Sequence, residues 1–209
     1  MVYRSKLGYP LDEIVSALQK EIRRGHEQEA AWWALELCHS GEIVRCWRRL
    51  CVIAAEDIGP GDPEALRQFG VALAMYREAH YGSGAHIITV YAVLVLARAK
   101  KNREANMLTT VLERMRDAGE KLPVPEYALD NHTERGRGRF TSKAEAFAWW
   151  VEEGQWCEAV HGPNRYLDAW VDWHGTKVRM TPEQKAAAKA ALHRQYAGKR
   201  APVRRQRPR

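Results

Sequence analysis

Two carboxylates stand side by side at Glu56 and Asp57, after the apolar run Val52 to Ala55 and before Gly59-Pro60-Gly61-Asp62-Pro63. A general acid/base pair needs a cleft and a raised pKa on one member. Acids beside an apolar run are costly to bury unless they are paired or hydrogen-bonded. The surroundings favour a structural use, in which the acids cap backbone N–H groups of the following turn or pair with Arg48 or Arg49. Glu56, Asp57, Gly59 and Asp62 are therefore read as a structural turn, and no catalytic residue is assigned.

A second constellation is Asp130, His132 and Glu134. Alternating oxygen and nitrogen ligands could hold a divalent metal if all three faced one way. No fourth ligand is marked, so no metal is assigned; a metal-dependent enzyme on a phosphate-containing substrate stays as an alternative. The third is Arg135, Arg137 and Arg139, interleaved with Gly136 and Gly138. Glycines let a backbone approach a phosphate, and guanidinium groups fork onto it. Lys199, Arg200, Arg204, Arg205 and Arg207 form a basic end without acids. Of the formal charge of +7 nearly all lies in this tail, so the body is close to neutral. Loop and tail together predict contact with DNA or RNA through phosphates, without sequence preference.

Other chemistries lack their motifs. There is no G-x-x-x-x-G-K-[ST] loop, no dinucleotide G-x-G-x-x-G after a strand, no H-E-x-x-H and no nucleophile elbow. No cofactor is expected. The 209 residues contain no apolar run of membrane-spanning length and no secretory leader pattern, so a cytoplasmic protein with no membrane partner is expected. Cys38, Cys46, Cys51 and Cys157 lack paired zinc spacing and read as reduced core residues. His80 and His86 flank a glycine-containing turn and read as packing or surface residues.

The elements that would position these groups are helical. Leu11, Ile14, Val15, Leu18 and Ile22 mark one face of a helix closed by Gly25. A second helix runs from about Glu27 to Ser40, with Ala30, Trp33, Ala34, Leu37 and Cys38 inward. A third runs from about Glu42 to Ala55, with Ile43, Trp47, Leu50, Cys51 and Ala54 inward. Asp62 and Pro63 fit the N-cap and first position of a fourth helix reaching about His80. After Gly82-Ser83-Gly84, a fifth helix (about Ala85 to Ala99) is apolar almost throughout. It is expected to be central, with Ile87, Ile88, Tyr91, Ala92, Val95 and Leu96 buried. A sixth spans about Asn102 to Ala118, through Ala105, Leu108, Val111, Leu112 and Met115. Pro123-Val124-Pro125 then makes a rigid linker, and the residues from Asp130 to Arg139 a loop. A helix from about Ser142 to Glu153 has Glu145 placed for a capping box. Trp149, Trp150, Trp156, Tyr166, Trp170 and Trp173 make an aromatic-rich stretch. A last, alanine-faced helix from about Pro182 to Tyr196 is expected to bury little.

Three of these segments resemble a known family. Asp12 to Arg23 is similar to the D-x-I-S-A-x-x-K-x-I-R segment that follows the ATPase core in replication-associated recombination protein A, the bacterial AAA+ family related to the Werner-helicase-interacting ATPase. Ala30-Ala31-Trp32-Trp33 resembles its A-A-x-x-W helix. Arg48 to Leu66 resembles R-R-L-x-x-I-A-S-E-D-I-G-x-x-D-P-x-A-L. The resemblance covers roughly residues 10 to 130. It implies a clamp-loader-like collar, assembly into a tetramer, and work beside an AAA+ ATPase and single-stranded-DNA-binding protein. It brings no catalytic residue, and the family's ATPase module has no counterpart in these residues.

The expectation is therefore an all-α helical bundle resembling a clamp-loader collar. Residues 1–175 would form the collar-like domain (core 10–120, aromatic extension 121–175), followed by an Ala/Lys-rich helix and basic tail at 176–209. The expected function is non-catalytic, oligomerising and nucleic-acid- or replication/repair-associated. A pure protein-interaction subunit of a separate ATPase is the other alternative.

Overall fold

The apolar stripe of the first helix, α1 (Leu11–Arg24), folds as its spacing dictates, with Leu11, Ile14, Val15, Leu18 and Ile22 all buried. Asp12 and Glu13 in the first turn and Arg23 and Arg24 in the last complement the helix dipole. Gly25 ends it at φ 78°, donating its N–H to Ile22, while His26 donates to Glu21. A residue with a Cβ is strained in that left-handed conformation. The structure, a computed structural model, describes residues 3–78, 84–155 and 164–197. His80, Gly82, Ser83, Trp156, Cys157 and the basic tail from Lys199 lie outside the described residues.

The chain divides into two compact units, Met1–Lys121 and Leu122–Arg209. The first is built from α1, α2 (Glu27–His39), α3 (Ile43–Ile53), α4 (Pro63–Glu78), α5 (Gly84–Arg98) and α6 (Glu104–Asp117). The second contains α7 (Lys143–Trp149), α8 (Leu167–Lys177) and α9 (Pro182–Tyr196). Among the described residues there is no strand, only an isolated bridge between Arg4 and Pro10. The fold is all-α, as the periodicity predicts. No described helix is long and apolar enough to cross a membrane.

In the first unit, α5 is central and packs against α1, α2, α3 and α4. Its buried set is Ala85, Thr89, Ala92, Val93, Val95, Leu96 and Ala97. The expected burial of Ile87 and Tyr91 is wrong: Ile87 is 75% exposed and Tyr91 faces solvent too. Ala85, Ala92 and Ala97 let the neighbouring helices approach α5 closely, Val93, Val95 and Leu96 fill the core beside them, and Ile87 and Tyr91 turn outward. Inside, the Trp47 indole N–H donates to Thr89 Oγ1 at 3.0 Å, and Thr89 donates to the Ala85 carbonyl at 2.7 Å. Trp47 stacks on Tyr76 at 4.4 Å. His86 packs edge-on against His39.

On α3 the inward residues are Cys46, Trp47, Leu50 and Ile53. Cys51 is exposed, which corrects its reading as a core thiol; Cys38 and Cys46 are buried. The helix does not stop at Ala55 but widens into a π turn, Ala54–Ile58, and then a short 3-10 turn, Gly59–Gly61.

The second unit has its own core of Phe147, Val151, Leu167, Val171, Met180 and Leu192, with Ala144, Ala188 and Ala191. Ser142 caps α7 by accepting from the Glu145 N–H. The Glu145 carboxylate reaches back to the Thr141 N–H at 2.7 Å. Thr181 and Gln184 form a capping box on α9, with Pro182 in its first turn. Contrary to the expectation that α9 buries little, Ala188, Ala191 and Leu192 are core residues. The alanine face suits a close approach to α8, where a Cβ on Gly175 would sit 3.0 Å from Lys185 Cγ.

Candidate functional site

Of the sequence-marked groups, the acidic corner is the most tightly built. Asp57 is 0% exposed. Its Oδ1 accepts from Arg23 Nε at 2.7 Å, and its Oδ2 from Gln19 Nε2 at 3.0 Å. Arg103 brings a second guanidinium, with Nε 3.3 Å from Asp57 Oδ1 and Nη2 donating to Glu56 Oε1 at 3.0 Å. Arg23 Nη2 also stands 3.5 Å from Glu56 Oε1. Two carboxylates thus meet two guanidinium groups, the arrangement that buried acids require. The partners are Arg23 and Arg103 rather than the expected Arg48 or Arg49. Arg49 joins only indirectly, donating to Gln19 Oε1 at 3.2 Å.

The rest of the corner docks on the segment after α5. Asn102 donates its N–H to the Asp57 carbonyl at 2.8 Å. Gly59 has φ 48°, and a Cβ there would lie 3.0 Å from the Asn102 carbonyl oxygen. A Cβ on Gly61 would come within 2.8 Å of Asn102 Cβ. Asp62 caps α4 through the Ala65 N–H at 3.0 Å and accepts from the Lys100 N–H at 3.2 Å. These two backbone donors, Ala65 first, hold the Asp62 carboxyl below its ordinary range. Lys101 donates to the carbonyls of Leu96, Ala97 and Ala99 at the end of α5. Burial lowers its pKa, against the pull of Asp57 and Asp62.

The loop of the second unit resolves the other two constellations. Asp130 accepts from the His132 N–H at 2.9 Å, and its other oxygen stands 3.2 Å from His132 Nδ1. The His132 side chain, then its N–H, holds the Asp130 carboxyl below its usual range. Glu134 does not join them: no three His, Cys, Asp or Glu residues among the described ones could share a metal ion. Arg139 is committed within the unit. It donates to the Glu126 carbonyl at 3.1 Å, pairs with the Glu126 carboxylate at 3.2 Å and lies 4.9 Å over the Trp149 ring. Arg135 and Arg137 are exposed. Gly136 is buried, and a Cβ there would overlap the Asp130 carbonyl. Its glycine therefore serves a tight backbone contact inside the loop.

Two concave features escaped sequence reading. A shallow groove of about 340 Å³ between α1 and α3 is lined by Arg45, Arg48, Arg49, Val15, Val52 and Asp12. A pocket of about 270 Å³ in the second unit is lined by aromatic residues of α7, the following π turn and α8, with the 130s loop at its rim. Tryptophan clustering was the available signal for the pocket, but without α8, which sequence reading missed, the rings had no common wall.

Residues 25–165 match the family described as MgsA AAA+ ATPase C terminal. Replication-associated recombination protein A of Bacillus subtilis is 31% identical over 132 residues, which is 60% of this chain and 31% of that protein. The Haemophilus influenzae protein of the same name is 27% identical over 129 residues, 61% of this chain and 27% of its own. ATPase WRNIP1 of Dictyostelium discoideum is 36% identical over 70 residues, 33% of this chain and 8% of its own length. The chain thus matches less than a third of each of these relatives.

Proposed function

The chain belongs to the MgsA AAA+ ATPase C-terminal family, and from that premise we propose that it is a non-catalytic, self-associating helical module serving the assembly of an AAA+ ATPase in replication or recombination. The names of the relatives supply the process. The acidic corner acts as a joint in this reading: Asp57 has no access to solvent, and its charge is met by Arg23 and Arg103.

The observation that carries self-association is α6. Met107, Leu108, Val111 and Leu112 follow helical spacing along one stripe, yet each is between 43% and 60% exposed. Not one residue of α6 is buried. The helix is anchored on the corner at its N-terminal end through Asn102 and Arg103, and among the described residues of its own unit no element covers the stripe. A stripe of this kind buries itself on a partner. A second copy fits. Antiparallel pairing sets the Glu104 end of one α6 against Arg114 and Arg116 of the other, and a self-complementary patch closes by two-fold symmetry.

The test is the mass of the full chain in solution, by native mass spectrometry, for wild type and for Leu108→Glu with Leu112→Glu. An oligomer that the double substitution converts to monomer, at unchanged thermal stability, supports the reading. A monomeric wild type, or an oligomer indifferent to the substitutions, overturns it.

Nucleic-acid contact is a second reading, favoured by the exposure of Arg135 and Arg137 on one loop. Replacing both and removing Lys199 to Arg209 should weaken binding of single-stranded DNA or RNA and flatten its salt dependence. If the wild-type chain binds neither at low salt, this reading fails.

A further inference from the structure

The aromatic pocket of the second unit has a volume of about 270 Å³. That is just below the ~300–1,000 Å³ of drug-sized ligand sites and suits a single planar ring system. Its walls are Phe147, Trp150, Trp170 and His174. Phe147 and His174 lie nearly parallel, with centroids 4.4 Å apart and planes at 22°. Trp170 leans against Phe147 at 5.3 Å and Trp150 at 5.7 Å. The core residues Val151, Leu167 and Val171 pack in the same cluster, while Trp150, Trp170 and His174 are only half-buried. The rings are therefore held in place before any ligand arrives.

The rim sets the ligand's charge. Asn131 from the loop and Lys143, the first residue of α7, stand at the pocket, and both are exposed. Among the described residues no carboxylate lines it, and His132 at the rim is paired with Asp130. Aromatic cages also take quaternary ammonium groups, but the Lys143 ammonium repels a cation. It favours a flat ring that carries an anion. The Asn131 amide offers both a donor and an acceptor to the polar edge of such a ring. Stacking faces, an edge-reading amide and one cation together match a nucleobase attached to a phosphate.

We propose that this pocket binds one nucleobase, stacked on the Trp150 and Trp170 side of the aromatic cluster, with its phosphate on Lys143. The inference rests on the nucleic-acid reading and gives it a place. The loop that carries Asn131 continues to the exposed Arg135 and Arg137. A free nucleotide and a nucleotide within a single strand share this chemistry.

The experiment uses the full chain, fluorescently labelled oligothymidylate followed by anisotropy, and adenosine monophosphate followed by saturation-transfer NMR, all at low salt. The variants are Lys143→Glu and Trp170→Leu, with removal of Lys199 to Arg209 as a comparison. Each pocket variant should weaken binding roughly tenfold. A 4-thiothymidine strand should photocrosslink to Phe147, Trp150 or Trp170. Glutamate in the first turn of α7 favours the helix dipole, so Lys143→Glu stays decisive even if Trp170→Leu misfolds. Strand binding without the mononucleotide assigns the site to single strands, and the converse assigns it to free nucleotides. Binding that ignores both pocket variants and crosslinks elsewhere overturns the pocket while leaving the basic loop and tail as the contact. Binding of neither probe overturns both.

Discussion

Arg23 Nε donates to Asp57 Oδ1 at 2.7 Å, tying the last turn of α1 to the π turn that follows α3. Arg103, just before α6, brings its Nε to 3.3 Å from the same oxygen. One carboxylate thus joins three elements that are distant in the chain.

Replacing Asp57 with alanine leaves the two guanidinium groups, each about a third exposed, with Glu56 as their remaining carboxylate. Loss of one partner of a buried ion cluster costs about 3–5 kcal/mol. The partial exposure of Arg23 and Arg103 places Asp57→Ala towards the lower end. Glu56→Gln should cost about 1 kcal/mol or less, because Glu56 reaches solvent. Urea unfolding of the two variants checks the order, and equal effects would refute the assignment.

Thr89→Val keeps the shape of a buried residue but removes the acceptor of the Trp47 indole N–H. An unsatisfied buried donor costs about 1–3 kcal/mol. The loss should appear in the denaturation midpoint with an unchanged slope. A variant as stable as wild type would mean that the indole finds another acceptor.

Asp62 gives a pH dependence of defined sign. Its folded pKa lies below the unfolded value, so its contribution is present above about pH 4 and is lost as pH falls through the folded pKa. Asp62→Asn should lower stability near neutrality and flatten the acid limb of the stability curve. Parallel curves for the two proteins between about pH 5 and pH 2 would contradict this.

Gly136→Ala forces a Cβ onto the Asp130 carbonyl and must open the loop. Amide exchange should quicken at Arg137, whose N–H donates to Thr133 at 3.0 Å, and at Arg139, which donates to Gly136 at 3.1 Å. Gly138→Ala, where a Cβ meets open space, should leave both unchanged.

The sequence by itself determined the local features. The stripe from Leu11 to Ile22, the Gly25 stop and the Asp62, Ser142 and Thr181 starts all depend on residues within a turn or two, where spacing and side-chain reach decide the outcome. The family could be read because the corner joins several such features in one short run. Only the tertiary structure decided which partners meet. Asp57 took Arg23, 34 positions away, instead of the nearby Arg48 or Arg49, because the docking of α1 sets the geometry of that pair. The buried face of α5 was hidden by its uniform apolarity, which marks no side for the core. The spacing along α6 marks an apolar stripe, but periodicity reports that a face is apolar and not what covers it. Burial and ion pairing depend on how elements pack across long sequence separations, and local spacing carries no record of that packing.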